Sequence, residues 1–198
     1  MRILTNGAVL AGLAYILALG SIPASGQLVL FAQSGQNPKY TNSLAPYVTS
    51  PQGVVDRMLE LAEIRPGDTL YDLGSGDGRV LITAVQRFHA KAVGVELSEK
   101  LVQRTNDRIR RLGLQNFARV IHGDLMDVDL SPADVVTLYL MTDSNEKLRP
   151  NLERYLKPGA RVVSHDYPVP GWQAKQIEKS LDTDKHVIFL YLLPQAKH

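Results

Sequence analysis

From residue 50 onward the apolar positions follow two alternating rhythms. Val54, Val55, Met58, Leu59 and Ala62 recur at three- and four-residue spacing, the period of a helix that buries one face. Ser50 suits the N-cap of that helix and Pro51 its first turn, where the N–H that proline lacks would have no intrahelical partner. Pro66-Gly67 ends it. Short apolar runs follow at Thr69–Leu73, Ala92–Glu96, Ala118–His122, Asp134–Leu140 and Ala160–His165, and each reads as a strand. Between them Arg79–Phe88, Glu99–Leu112 and Asn145–Leu156 carry the helical period. This alternation predicts an α/β fold, a three-layer, doubly wound, mostly parallel sheet with helices on both faces. Val187–Leu193, rich in β-branched and aromatic residues, predicts a last strand. Gln173–Leu181 reads either as a short helix or as the first arm of a C-terminal antiparallel hairpin that turns at Asp182-Thr183-Asp184, and the hairpin is the expected form.

The N-terminal stretch is patterned differently. No charged side chain occurs from Ile3 to Pro38, Ile3 to Leu19 is almost wholly apolar behind Arg2, and Ala24-Ser25-Gly26 follow the helix breaker Pro23. That is the pattern of a secretory signal peptide, with an uncleaved membrane anchor as its rival. The expected organisation is a signal peptide or anchor over residues 1–26, a linker or strap over 27–50, and one folded domain over 51–198. An exported or membrane-anchored protein is expected, with residues 3–20 at the membrane.

Composition removes several chemistries. Zero cysteines exclude disulfides, thiolate metal sites and cysteine nucleophiles. The net charge of +2 is too small for a nucleic-acid footprint, and Arg104, Arg108, Arg110 and Arg111 are interleaved with Glu99 and Asp107, as on a solvated helix face. No nucleic-acid partner is expected. The histidines at 89, 122, 165, 186 and 198 show neither H-x-H nor H-x-x-x-H spacing, so no metal is expected either. His165 reads as a strand-end residue donating to backbone. Trp172 reads equally as a pocket wall or a core anchor. A monomer is expected.

The first strand runs into Asp72-Leu73-Gly74-Ser75-Gly76-Asp77-Gly78 and directly into a helix. Glycines let a backbone turn tightly and approach a ligand. A dinucleotide fingerprint would place its third glycine where Arg79 stands, which weakens a nicotinamide reading. Glu96 closes the second strand, where a carboxylate can accept both hydroxyls of a ribose, and Asp124 follows the third. Three acids at the carboxyl ends of consecutive strands stand where such sheets bind ligands.

This constellation resembles the S-adenosylmethionine site of class I methyltransferases. Ala45-Pro46-Tyr47-Val48-Thr49-Ser50-Pro51, Val136-Thr137-Leu138-Tyr139-Leu140, Leu148-Arg149-Pro150, Leu156-Lys157-Pro158-Gly159 and Val162-Val163-Ser164-His165-Asp166 narrow the likeness. Over Ala45 to Asp166 the chain is similar to the small protein-lysine methyltransferases that act on ATP synthase c subunit and adenine nucleotide translocase, and to their bacterial relatives. The resemblance implies a Rossmann-like methyltransferase fold and S-adenosyl-L-methionine as cofactor. It implies a cofactor-binding set of Tyr47 as a lid with Asp72, Gly74, Ser75, Gly76, Glu96, Leu97, Asp124 and Leu125. In the acceptor half, Tyr139 would orient the amine and Asp166 would take its proton. The implied partner is a protein substrate, with a membrane protein among the candidates. A small-molecule, lipid or quinone-headgroup methyltransferase, an NAD-dependent oxidoreductase and a non-catalytic membrane-anchored nucleotide-binding module stay open as alternatives.

Overall fold

The structure, a computed structural model, describes residues 48–179 and 185–194. Its elements are α1 (Gln52–Leu61), β1 (Thr69–Leu73), α2 (Arg79–Phe88), β2 (Lys91–Glu96), α3 (Glu99–Arg111), β3 (Ala118–His122), β4 (Val135–Leu138), α4 (Thr142–Tyr155), β5 (Arg161–His165), β6 (Gln176–Lys179) and β7 (Val187–Leu192). A 3-10 turn, Leu125–Asp127, lies between β3 and β4. Seven strands form one sheet in the order β3-β2-β1-β4-β5-β7-β6. β1 to β5 are parallel, whereas β7 runs antiparallel to both β5 and β6. The predicted doubly wound sheet and C-terminal hairpin are therefore present.

Strand alternation distributes the core over two faces. Leu70, Ala92, Val135 and Val163 pack with Leu59, Leu81 and Ile109 of α1, α2 and α3. Tyr71, Val93, Val136 and Val162 point the other way, towards Leu148 and Leu152 of α4. Burying both faces requires apolar residues at nearly every strand position, hence the unbroken runs in the sequence.

Between β1 and β4 the strand order reverses. Connections leave the sheet in opposite directions at such a point and open a crevice beyond the carboxyl ends of the strands. The loop after β1 fills part of that crevice by lying on β2. A Cβ added at Gly94 would stand 2.4 Å from Ser75 Oγ and 2.6 Å from Ser75 Cβ, so the loop seats only on a strand residue without a side chain. Gly94→Ala is expected to destabilise the protein by about 1–3 kcal/mol, read as a lower denaturation midpoint. Ser75→Gly in the same chain should restore part of the loss, because it removes two of the three clashing atoms and leaves only Leu81 Cδ1 at 2.8 Å. Equal losses in the single and double variants would show that the contact with Leu81, not loop packing, is responsible.

Candidate active site

Asp72, Glu96 and Asp124 stand at or just past the ends of β1, β2 and β3, on the crevice side. Asp72 is 7% exposed. Its Oδ1 accepts the Thr137 hydroxyl at 2.7 Å, and register places Thr137 opposite it on β4. Burial pushes the Asp72 carboxyl up to about 7; the Thr137 bond opposes this, and Glu96 and Asp77 add to it. The charges that bear on this buried acid are thus of its own sign. Such a group is completed by a cation.

Gly74, Gly76 and Gly78 hold the loop at φ 88, 51 and 73. At Gly78 glycine is needed twice over, because a Cβ there would also meet Thr105 Cγ2 at 2.4 Å. The glycine loop is pinned by Glu96, whose Oε2 accepts the Gly76 N–H at 2.9 Å and whose Oε1 accepts the Ser98 N–H at 2.8 Å. Thr105 donates to the Gly76 carbonyl at 2.9 Å. Ser75 Oγ is buried with no hydrogen-bond partner. Asp124 Oδ1 accepts the Met126 N–H at 2.9 Å, which turns Leu125 onto the same edge. Leu97, partly buried, follows Glu96. Arg79 explains why the third glycine of a dinucleotide loop is missing. Its guanidinium pairs with Asp77 at 2.8 Å and donates to the Ser50 carbonyl at 2.7 Å, tying the segment before α1 to the loop.

The opposite half of the crevice is built by residues after β4 and β5. β4 ends at Leu138, so Tyr139 lies just past it. Its hydroxyl donates to Asp166 Oδ2 at 3.3 Å. Burial, together with the Asp166 charge and hydrogen bond, pushes the phenol up to about 12, which keeps it a neutral donor. Asp166 has φ 59, and the Tyr167 N–H bonds back to the His165 carbonyl at 2.7 Å across it. A non-glycine residue held there marks a turn fixed by its surroundings. Asp166 Oδ1 accepts the Val187 N–H at 2.9 Å and Oδ2 faces His186 Nδ1 at 3.0 Å. Burial alone would raise this carboxyl, but the Val187 and His186 bonds and the two nearby histidines outweigh it and hold it below the ordinary carboxylate value. Asn145, buried at the start of α4, donates to the carbonyls of Tyr167 at 3.1 Å and Pro168 at 3.2 Å, which fixes the loop that follows Asp166.

Several expectations are corrected here. Ser50 does not cap α1, which begins after Pro51 without a side-chain cap; its hydroxyl meets His165 Nδ1 at 2.8 Å. His165 is fully buried, and a buried ring nitrogen left unpaired costs more than a helix N–H open to water. His165 accordingly does not donate to backbone, and burial drives its pKa well below the ordinary value. Its Nε2 faces His186 Nδ1 at 3.0 Å. Trp172 acts as an anchor: Nε1 donates to Glu153 at 2.7 Å and the ring meets Tyr191 edge-on. Tyr47 lies outside the described residues, as do residues 3–20. The expected export or membrane anchoring is also corrected, since no helix among the described residues is long and apolar enough to cross a membrane. Sequence reasoning assigned His186 no role, and only the antiparallel pairing of β7 with β5 brings it to the crevice.

A seven-stranded sheet with this order, a glycine loop after β1 and acids ending β1 to β3 define an S-adenosylmethionine-dependent methyltransferase. The comparisons agree. The profile of the ANTKMT methyltransferase domain matches residues 72–176, more than half of the chain. A protein-lysine N-methyltransferase of Saccharolobus islandicus is 44% identical over 77% of this chain and 96% of its own length. The adenine nucleotide translocase lysine N-methyltransferase of Mus musculus is 36% identical over 65% of this chain, which spans 56% of that longer protein. Among solved structures, an RNA methyltransferase from Salinibacter ruber in complex with S-adenosyl-L-homocysteine superposes with a TM-score of 0.72 at 40% identity, over 76% of this chain and 97% of that one. The chain belongs to the ANTKMT methyltransferase family, and S-adenosylmethionine is its cofactor.

Proposed function

We propose that this methyltransferase methylates the side-chain amine of a lysine in a protein substrate. The observation that carries the reading is the division of the crevice: acids on β1 to β3, and a hydrogen-bonded tyrosine–aspartate pair beyond β4 and β5. Bound S-adenosylmethionine supplies an electrophilic methyl group, which moves from sulfur to the amine nitrogen as the C–S bond breaks. The donor set suits it. Asp72 would receive the methionine ammonium, since a buried carboxylate surrounded by like charge gains most from a cation. Glu96 spends one lone pair of each oxygen on the loop and keeps the others for the ribose hydroxyls. Gly74, Ser75 and Gly76 would lie along the amino-acid and ribose portions, with the orphaned Ser75 hydroxyl available to them. Leu97, Asp124 and Leu125 would take the base.

On the acceptor side, Tyr139 donates its O–H in a hydrogen bond to Asp166, so its oxygen presents lone pairs outward and can accept an N–H of the incoming amine. A lysine amine has an unperturbed pKa of about 10.4 and reacts only when neutral. Exclusion of water beside the aromatic rings of Tyr139 and Tyr167 favours that neutral form. The released proton passes to Asp166 and on to solvent, while the Asp166 charge favours a basic acceptor over an acidic one. Met141 and Tyr167, half or more than a third exposed, give the rim an apolar surface that suits a polypeptide. Every residue invoked comes from one chain, so a monomer suffices.

The test is transfer of labelled methyl by the full chain to protein and RNA fractions of the source cells. Label that survives ribonuclease and maps to methyl-lysine by mass spectrometry is expected. Label lost to ribonuclease would overturn this reading and favour an RNA acceptor, as for the RNA methyltransferase from Salinibacter ruber.

A further inference from the structure

Asp166 Oδ2 has two neighbours that methyl transfer does not require. His165 Nε2 and His186 Nδ1 lie 3.0 Å from each other. From Asp166 Oδ2 the first is 3.3 Å away and the second 3.0 Å. Three ligand atoms thus form a nearly equilateral triangle. Donors bound about 2.0–2.1 Å from one ion stand roughly 2.8–3.4 Å apart at octahedral to tetrahedral angles, and that interval contains all three edges.

Proton accounting points the same way. If His165 Nδ1 donates to Ser50, its Nε2 carries a lone pair, and Asp166 Oδ2 carries others. One proton, on His186 Nδ1, is then shared between two acceptors. The Tyr139 hydroxyl adds a second proton at Asp166 Oδ2 from outside the triangle at 3.3 Å, but within the triangle one proton serves three electron-pair donors, a set that a cation would satisfy better. The surroundings are also those of a held ligand set. Ser50 fixes the outer nitrogen of His165, as an outer-shell partner fixes a metal-bound imidazole, and Arg79 in turn holds the Ser50 carbonyl at 2.7 Å. The Val187 N–H fixes the second oxygen of Asp166 at 2.9 Å. His165 is fully buried, whereas His186 and Asp166 are only partly so, which leaves a side open for entry and for water as a further ligand.

We propose that His165, Asp166 and His186 form a binding site for a first-row divalent cation of the zinc class. Two imidazoles and one carboxylate are borderline ligands, suited to Zn2+ or Co2+ and poorly suited to Mg2+ or Ca2+, which prefer all-oxygen shells. Sequence spacing concealed the site because His165 and His186 are 21 residues apart and meet only through the β5–β7 pairing. Tyr139 donates to the same Asp166 oxygen, so an ion and the phenol compete for it.

The test uses the full chain, freed of metal with a chelator and then titrated with Zn2+ by calorimetry and with Co2+ by visible absorption. One ion per chain is expected, together with the d–d bands of a bound Co2+. Binding should weaken at least tenfold in His186→Ala and in Asp166→Asn, and should be unchanged in His122→Ala, which removes an exposed histidine on β3. The readout does not depend on activity, so it stands whether or not lysine proves to be the acceptor. Absence of stoichiometric binding, or affinity unchanged in both His186→Ala and Asp166→Asn, would overturn the site and leave the cluster as a hydrogen-bond network only.

Discussion

Asp72→Asn is expected to stabilise the ligand-free protein and at the same time to weaken S-adenosylmethionine binding about a hundredfold. The first effect follows from the position of the carboxyl. An aspartate in an unfolded chain titrates near 3.9, whereas burial raises Asp72 to about 7 in the folded protein. The folded state therefore holds the proton more tightly, and ionisation of Asp72 costs folding free energy as pH rises. The penalty is absent below about pH 4, grows between 4 and 7, and is complete above 7. Three units correspond to about 4 kcal/mol at full development. Asparagine has the same shape, keeps an oxygen for the Thr137 hydroxyl and never ionises. The melting temperature of Asp72→Asn should exceed that of the unaltered chain by several degrees at pH 8, at roughly 2–4 °C per kcal/mol for a protein of this size. The two should nearly coincide only at pH 4 and below, with the gap opening between pH 4 and 7.

The second effect has the opposite sign because the ligand is a cation. A hydrogen bond to a buried charge is worth about 1.5–3 kcal/mol, and the upper part of that range is a hundredfold in affinity. Calorimetry at pH 8 reads it directly. The unaltered protein should also bind S-adenosylmethionine more weakly at pH 6 than at pH 8, a dependence that the variant lacks. A melting temperature that falls at pH 8, with binding intact, would make Asp72 a structural residue.

What could be read in the chain, and what could not, follows from how local each feature is. The glycine loop and the acids at the ends of β1, β2 and β3 are written in single short segments, so pattern and spacing expose them. Strand β4 reads too long because Tyr139 and Leu140 continue its apolar run; its parallel pairing with β5 stops at Leu138 and Ser164. Helix α4 reads too short because Thr142, Asp143 and Ser144 look like loop residues. They enter the helix because the Ser144 and Asn145 N–H groups both bond to the Met141 carbonyl at 2.9 Å. The Ser50–His165 bond joins residues 115 apart, and His186 reaches the crevice only through an antiparallel strand. No periodicity within a segment carries such information. The half of the crevice proposed to receive the methyl group is built from long-range pairings of this kind, whereas the half proposed to hold the cofactor is built from contiguous motifs.

That division sets the expected outcome for Tyr139 and Asp166. Tyr139→Phe and Asp166→Asn should each lower kcat/KM for the lysine substrate on the order of a hundredfold, the lower end of what a positioned proton-transfer group contributes. Affinity for S-adenosylmethionine should stay within about threefold, because neither residue belongs to the acids that end β1 to β3. Asparagine is the appropriate replacement at 166, since it adopts the left-handed conformation required at φ 59 more readily than most residues. It also keeps an oxygen for the Val187 N–H. Phenylalanine keeps the ring beside His165, whose centroid is 3.9 Å away, and beside Tyr167. What each variant loses is one end of the Tyr139–Asp166 hydrogen bond, and the double variant is therefore informative. If the phenol works because Asp166 orients it, removing both ends should cost little more than removing one, in place of the product of the two losses. Losses that multiply would show two groups acting separately on the amine. Loss of cofactor affinity in step with kcat/KM would place the pair on the cofactor side of the crevice and remove it from the acceptor.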